Sequence, residues 1–147
     1  MTIEALAGWT DEALVEYFRK WAIRQSQCGF NAIAHNRIDQ ERLVPSCNVL
    51  AARGKESLSK LLRLTEDGNA HVQLTAAIFA FEADPNQCRK VLKSLLPQPG
   101  WVGIAALVWL ADKDAEFAAE FERKAQLEYD NYKKEQAGRF SGGETEN

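Results

Sequence analysis

The feature that most restricts how this chain can fold is an internal repeat. Shifted by 30 positions, Leu61 and Leu62 fall on Val91 and Leu92, and Asp84 falls on Asp114. Val72, Leu74, Ala76 and Ile78 fall on Val102, Ile104, Ala106 and Val108. A period of roughly 20–50 residues marks a stacked supersecondary unit. One helical hairpin cannot bury both of its faces, so each copy must pack on its neighbour. The segments Leu74–Phe81 and Trp101–Ala111 are apolar on nearly every side, which predicts helices sandwiched between others. Alanines at 76–77 and 105–106 would let the helix axes approach closely.

The rest of the chain is periodic in the same helical sense, without sustained strand alternation. Thr10-Asp11-Glu12 predicts the start of a first helix with Leu14, Phe18, Trp21 and Gln25 on its core face, ended by Gly29. A second helical region over 30–52 carries the stripe Phe30, Ile33, Ala34, Ile38, Val44, Cys47 and Leu50. Pro45 cannot donate to the Glu41 carbonyl, so this region must kink or divide. Gly54 stops it. A third helix over 56–64 turns inward with Leu58, Leu61 and Leu62. Asn69 caps a fourth helix, and Asp84-Pro85 opens a fifth with Cys88, Val91, Leu92 and Leu95. Pro97 to Gly100 separates it from the sixth, Trp101–Ala111. The last helix begins near Asp114, carries Phe117, Phe121, Tyr129 and Tyr132 on one stripe, and continues to about Gln136. The expectation is therefore an all-α fold of about seven helices, a short α-α superhelix of right-handed hairpins. It forms one domain over 1–137 with a long C-terminal capping helix, followed by a disordered tail over 138–147.

The turn Asp67-Gly68-Asn69 followed by Val72-Gln73-Leu74-Thr75-Ala76-Ala77 resembles a HEAT repeat, whose second helix typically opens Asp-x-x-Val-Arg-x-x-Ala-Ala. Over residues 10–112 the chain is similar to an uncharacterised bacterial family of short HEAT-like (armadillo-type) α-solenoid domains, and Asn36-Arg37 belongs to that likeness. The resemblance implies a concave binding surface. Gln73 and Gly103 stand where a HEAT arginine would, which puts the Asp–Arg ladder between repeats in doubt.

Composition narrows function mainly by exclusion. The 147 residues carry 18 basic and 21 acidic side chains, a net charge of −3, which disfavours general nucleic-acid binding. The longest uncharged apolar run, residues 101–111, is far short of the ~20 needed to span a bilayer. The N-terminus lacks the charged and apolar regions of a signal peptide, so a cytoplasmic location is expected. Cys28, Cys47 and Cys88 form no CxxC pair and read as small buried hydrophobes. No cofactor, metal or catalytic motif is present, and the expectation is that the protein is not an enzyme. His71 lacks a nucleophile to activate and reads as a surface residue beside a turn. His35 and Asp39 share a helix face without further ligands and read as a solvated face. Acidic residues from Asp112 to Glu122 fit a helix N-terminus.

Two binding readings remain. The first is a non-catalytic protein–protein interaction module, of the small inhibitor or immunity type, with Trp101, His71, Asn36 and Phe81 as candidate partner contacts. Trp21 and Trp109 are assigned to the core. The alternative is a nucleic-acid-associated protein using a basic stripe of Arg53, Lys55, Lys60, Arg63, Arg89, Lys90 and Lys93 on the outer helices. The stripe on the last helix also offers a surface for homo-oligomerisation.

Overall fold

A computed structural model describes the backbone of residues 3–146 and the side chains of residues 4–139. It is all-α, and no strand occurs among the described residues. The helices are α1 (Ile3–Leu6), α2 (Asp11–Ser26), α3 (Ala32–Ile38), α4 (Val44–Arg53), α5 (Lys55–Ser59), α6 (Ala70–Phe79), α7 (Pro85–Leu95), α8 (Trp101–Lys113) and α9 (Ala115–Glu146). A π-helical turn over Asp39–Leu43 joins α3 to α4, and 3-10 turns occupy Lys60–Glu66 and Phe81–Ala83. The sequence places residues 1–137 in one domain. By its contacts the chain falls into two compact units, residues 1–109 and 110–147.

Helix starts follow side-chain chemistry. Thr10 Oγ1 accepts from the Ala13 amide, Asn31 Oδ1 from Ala34, and Asn69 Oδ1 from both His71 and Val72. Asp84 accepts from Gln87, with Pro85 at the first helical position, and Asp114 accepts from Phe117. Each such cap satisfies amides that have no partner within the helix and is worth about 1 kcal/mol. Gly54 closes α4 at φ +122, a conformation open mainly to glycine.

The core of the first unit is built around α2. Leu14 and Phe18 are fully buried against Leu6, Leu43, Leu50, Leu61, Val72, Ala76 and Ala80. Helix α6 packs against α2 and the Lys60–Glu66 turn, and also against α7, which is the sandwiched position its composition predicts. Ala76 and Ala77 are both fully buried there. Helix α8 departs from that expectation. Ile104 is 53% exposed and Val108 62% exposed, so one face of this apolar helix is uncovered.

The region around Pro45 does not divide: Ile38, Asp39, Leu43 and Val44 all keep right-handed helical backbone, and the helix runs on through the π turn. The Val44 amide reaches back to the Asp39 carbonyl, one residue further than in an α-helix. The Ser46 hydroxyl lies within hydrogen-bond reach of the Arg42 and Leu43 carbonyls, 2.9 and 3.0 Å away. Upstream of this turn the stripe expected from the sequence is out of phase. Phe30 (66% exposed) and Ile33 (84%) face solvent, and His35 points inward.

In the second unit, α9 presents Phe121, Leu127, Tyr129 and Tyr132 to solvent. Its charged face is laced locally, with Arg123 on Glu120 at 2.6 Å and Gln126 on Asp130 at 3.1 Å. The backbone continues as helix to Glu146, through the stretch where the sequence suggests a disordered tail. Side chains beyond Arg139 lie outside the described residues.

Candidate functional site

The N-terminal ends of α6 and α8 and the α2–α3 turn border a cleft of about 420 Å³. Its lining includes Phe30, His35, Asn69, His71, Trp101 and Val102. Gly29 (φ +58) and Gly100 (φ +72) form its rim in the left-handed region, and the Phe30 ring lies against Gly100.

Beneath the cleft lies a polar network centred on Gln25, a residue of the α2 core face. Its Nε2 donates to the His35 carbonyl at 2.9 Å and to Asp39 Oδ1 at 2.7 Å. Both partners are acceptors, which fixes the orientation of the amide. Gln25 Oε1 therefore accepts from His71 Nε2, 2.7 Å away, and Nε2 carries the proton. Burial, with the nearby His35, lowers the His71 pKa to about 4, so this ring is neutral at neutral pH. Burial raises the Asp39 carboxyl, against the Gln25 amide and His35, which both favour its charged form.

His35 is 4% exposed. Its Nε2 donates to the Gly29 carbonyl at 2.7 Å, and its ring stacks on Trp101 at 4.3 Å and 23°. The His71 ring lies 5.6 Å away. Among the described residues His35 Nδ1, fully buried, meets no hydrogen-bond partner. Phe30 meets the Trp101 ring edge-on at 6.4 Å.

Two sequence expectations are thereby corrected. His71 is not a surface residue, because at 4% exposure it is locked to Gln25 from below. His35 and Asp39 do not form a solvated face, because the π turn swings Asp39 toward Gln25 and carries His35 with it. Of the candidate contact residues, the cleft brings together Trp101 and His71. Asn36 is exposed on α3, outside the cleft lining. Phe81, outside the cleft lining, is half-buried, with its ring against Trp109 at 4.4 Å and Arg89 over it. The sequence gives no sign of Phe30, Ile104 or Val108 as surface residues, since each sits on an apolar stripe.

The His35 ring donates to the Gly29 carbonyl and the His71 ring to Gln25 Oε1, so neither is hydrogen-bonded to a hydroxyl or thiol among the described residues. Ser26 donates within its own helix to Ile23, and Cys28 Sγ lies 3.5 Å from the Arg24 carbonyl. Cys47 and Cys88 are buried, and burial pushes both thiols up to about 11. No cluster of three metal-ligating side chains occurs among the described residues. No helix in the described residues is long and apolar enough to cross a membrane.

The basic stripe is partly neutralised. Lys60 and Arg53 both bind Asp11, at 2.8 and 2.7 Å, and Arg53 also donates to the Ala7 and Trp9 carbonyls. These contacts, led by Lys60, hold the Asp11 carboxyl far below the ordinary carboxylate range. Arg63 folds back on the Lys60 carbonyl. No Asp–Arg ladder forms at the turn before α6. Asp67 binds Arg19 of α2 at 2.6 Å, and Gln73 donates to the Asp67 carbonyl. Burial works against ionisation of Asp67, yet Arg19 and the Asn69 amide hold its carboxyl below the usual value. At Gly103 the reason for glycine is steric, since a Cβ would run into the Gln98 and Leu96 carbonyl oxygens.

No protein-family model matches this chain, and neither a curated protein nor a solved structure matches it.

Proposed function

We propose that the first unit is a short HEAT-like stack serving as a non-catalytic protein-binding module. The observation that carries this reading is the face of α8. Trp101, Ile104 and Val108 recur at i, i+3 and i+7, and Ile104 and Val108 are more than half exposed. Phe30 extends the patch through its contact with Trp101. A hollow of about 320 Å³ lined by Leu96, Gln98, Gly103, Ile104 and Leu107 lies beside it, suited to a partner's anchoring side chain. Exposed apolar residues grouped in this way mark interaction sites more often than chance scatter does. Within this class, small size and acidity favour an inhibitor of the immunity type, and the exposed stripe of α9 favours association of two copies.

Nucleic-acid binding through the outer helices is the weaker reading, because Lys60 and Arg53 are already paired with Asp11. The test compares Ile104→Asp/Val108→Asp with Lys60→Glu/Arg63→Glu in affinity capture from the native cell. A stoichiometric partner lost in the first variant and kept in the second supports the proposal. Capture unaffected by the α8 changes refutes it, and retention of nucleic acid that weakens steeply with salt supports the other reading.

A further inference from the structure

We infer that α9 pairs with α9 of a second copy in antiparallel orientation, about a two-fold axis that crosses the helix near residue 127. This pairing presupposes that the α9 stripe joins two copies, as proposed above, and adds the direction and the register.

The helix lacks a cover of its own. From residue 119 to residue 135 every position of α9 is exposed, with Phe121 at 44%, Tyr129 at 53% and Tyr132 at 56%. Helices in proteins take most of their stability from burying an apolar stripe, and this one of 32 residues buries none along that stretch. Phe117, Phe121, Ala125 and Tyr132 follow one another at four, four and seven residues, which keeps them on one sector of the helix. Phe117 and Phe121 already stack on each other at 6.2 Å.

Charge identifies the occupant as a second copy. At about 100° per residue, Glu122 and Lys133 fall on one edge of the stripe, and Lys124 and Glu128 fall on the other. Among the described residues Glu122 and Glu128 have no ion-pair partner. Lys124 approaches Glu120 only to 3.9 Å, and Lys133 lies over the Tyr129 ring. In a two-fold antiparallel pair each edge runs beside the same edge of the other helix, and every contact occurs twice. An axis near residue 127 sets Glu122 against Lys133 on one edge and Lys124 against Glu128 on the other. The same axis sets Phe121 against Tyr132 and Phe117 against Gln136. One symmetry operation thus satisfies both edges and the stripe between them, over a helix length of about 30 Å. A parallel pair in register would set Glu122 on Glu122 and Lys133 on Lys133, which like charges oppose.

Sedimentation equilibrium of the full chain from about 1 to 100 µM tests the pairing. The expected result is a reversible dimer that Phe121→Asp abolishes. Glu122→Lys and Lys133→Glu each reverse two contacts, so each alone should weaken the dimer by about 10-fold or more. Both together in one chain restore opposite charges across the axis, and should return the dimer to near wild-type strength. All four tryptophans lie within residues 1–109, so unchanged tryptophan fluorescence verifies that the variants fold. A monomer at every concentration, or a dimer indifferent to Phe121→Asp, overturns association through α9 and the pairing with it. A dimer lost in Phe121→Asp but unweakened by either single reversal, or not restored by the double one, keeps the association and overturns the antiparallel register.

Discussion

Acid should destabilise this protein through His71, and the structure supplies the size of the effect. In the unfolded chain the imidazole titrates at 6.5, and in the folded protein at about 4. Between these values the unfolded state binds a proton that the folded state refuses, so stability falls as pH falls. At neutral pH the folded ring is neutral and the unfolded one mostly so, and the penalty is close to zero. At about pH 4.5 it reaches about 2.5 kcal/mol, which is a large part of the ~5–15 kcal/mol that holds a domain together. Carboxylates also titrate in acid, so the effect must be isolated by difference. His71→Gln does this, because its amide nitrogen can still donate to Gln25 Oε1 but carries no titrating group. Urea unfolding of both proteins from pH 7.5 to about pH 4.5 is the assay. The variant should start less stable, having lost ring contacts, and then lose about 2.5 kcal/mol less than wild type over the acid range. Parallel loss in the two proteins would refute the argument, since it would mean that His71 accepts a proton in place. An imidazole titration midpoint for His71 near 6.5 would say the same.

Four further outcomes are expected. Ala76→Leu introduces bulk where α6 is fully enclosed, and should cost about 1–3 kcal/mol in thermal or urea unfolding. Gly103→Ala should destabilise by about 1–3 kcal/mol, because the new methyl meets backbone carbonyls that cannot swing away; Gly138→Ala, with open space around it, should instead raise helicity and gain about 0.5–1 kcal/mol. Asp11→Asn should lower the urea midpoint at neutral pH by weakening the contacts to Lys60, Arg53 and Ser57; the difference from wild type should hold down to about pH 3.8, the unfolded value, and narrow progressively only as pH falls further toward the much lower folded value.

Helix starts and stops were legible because they depend on neighbours in sequence. Thr10, Asn69, Asp84 and Asp114 each find the amide two or three residues ahead, and Gly54 supplies a backbone conformation that other residues avoid. Burial of Ala76, Leu61, Cys88 and Leu92 followed from apolar spacing alone. Pro45 announced the departure from α-helical hydrogen bonding between α3 and α4, since a missing N–H is a property of the residue itself. Its consequence was not legible. A π turn adds a residue to the circuit and rotates everything upstream relative to α4, so apolar residues counted as one stripe across residues 30–50 end on different faces.

That rotation is also why the candidate site is hidden from a reading by residue type. A histidine and an aspartate four apart look solvated when no partner is in sight, and the partner here is Gln25, on another helix. Polar groups can occupy such an interior only where each finds a complement: the Gln25 amide uses one end for His71 and the other for the His35 carbonyl and Asp39. A chain that needed only a stable core could fill this space with leucine and avoid the desolvation cost. Keeping four polar side chains there, with Nδ1 of one of them buried and without a partner among the described residues, gives up stability that an apolar filling would keep. Replacing Gln25, His35, Asp39 and His71 together with apolar residues of matched volume should therefore raise the urea midpoint. A replacement that lowered stability instead would show that the network is held for the fold alone.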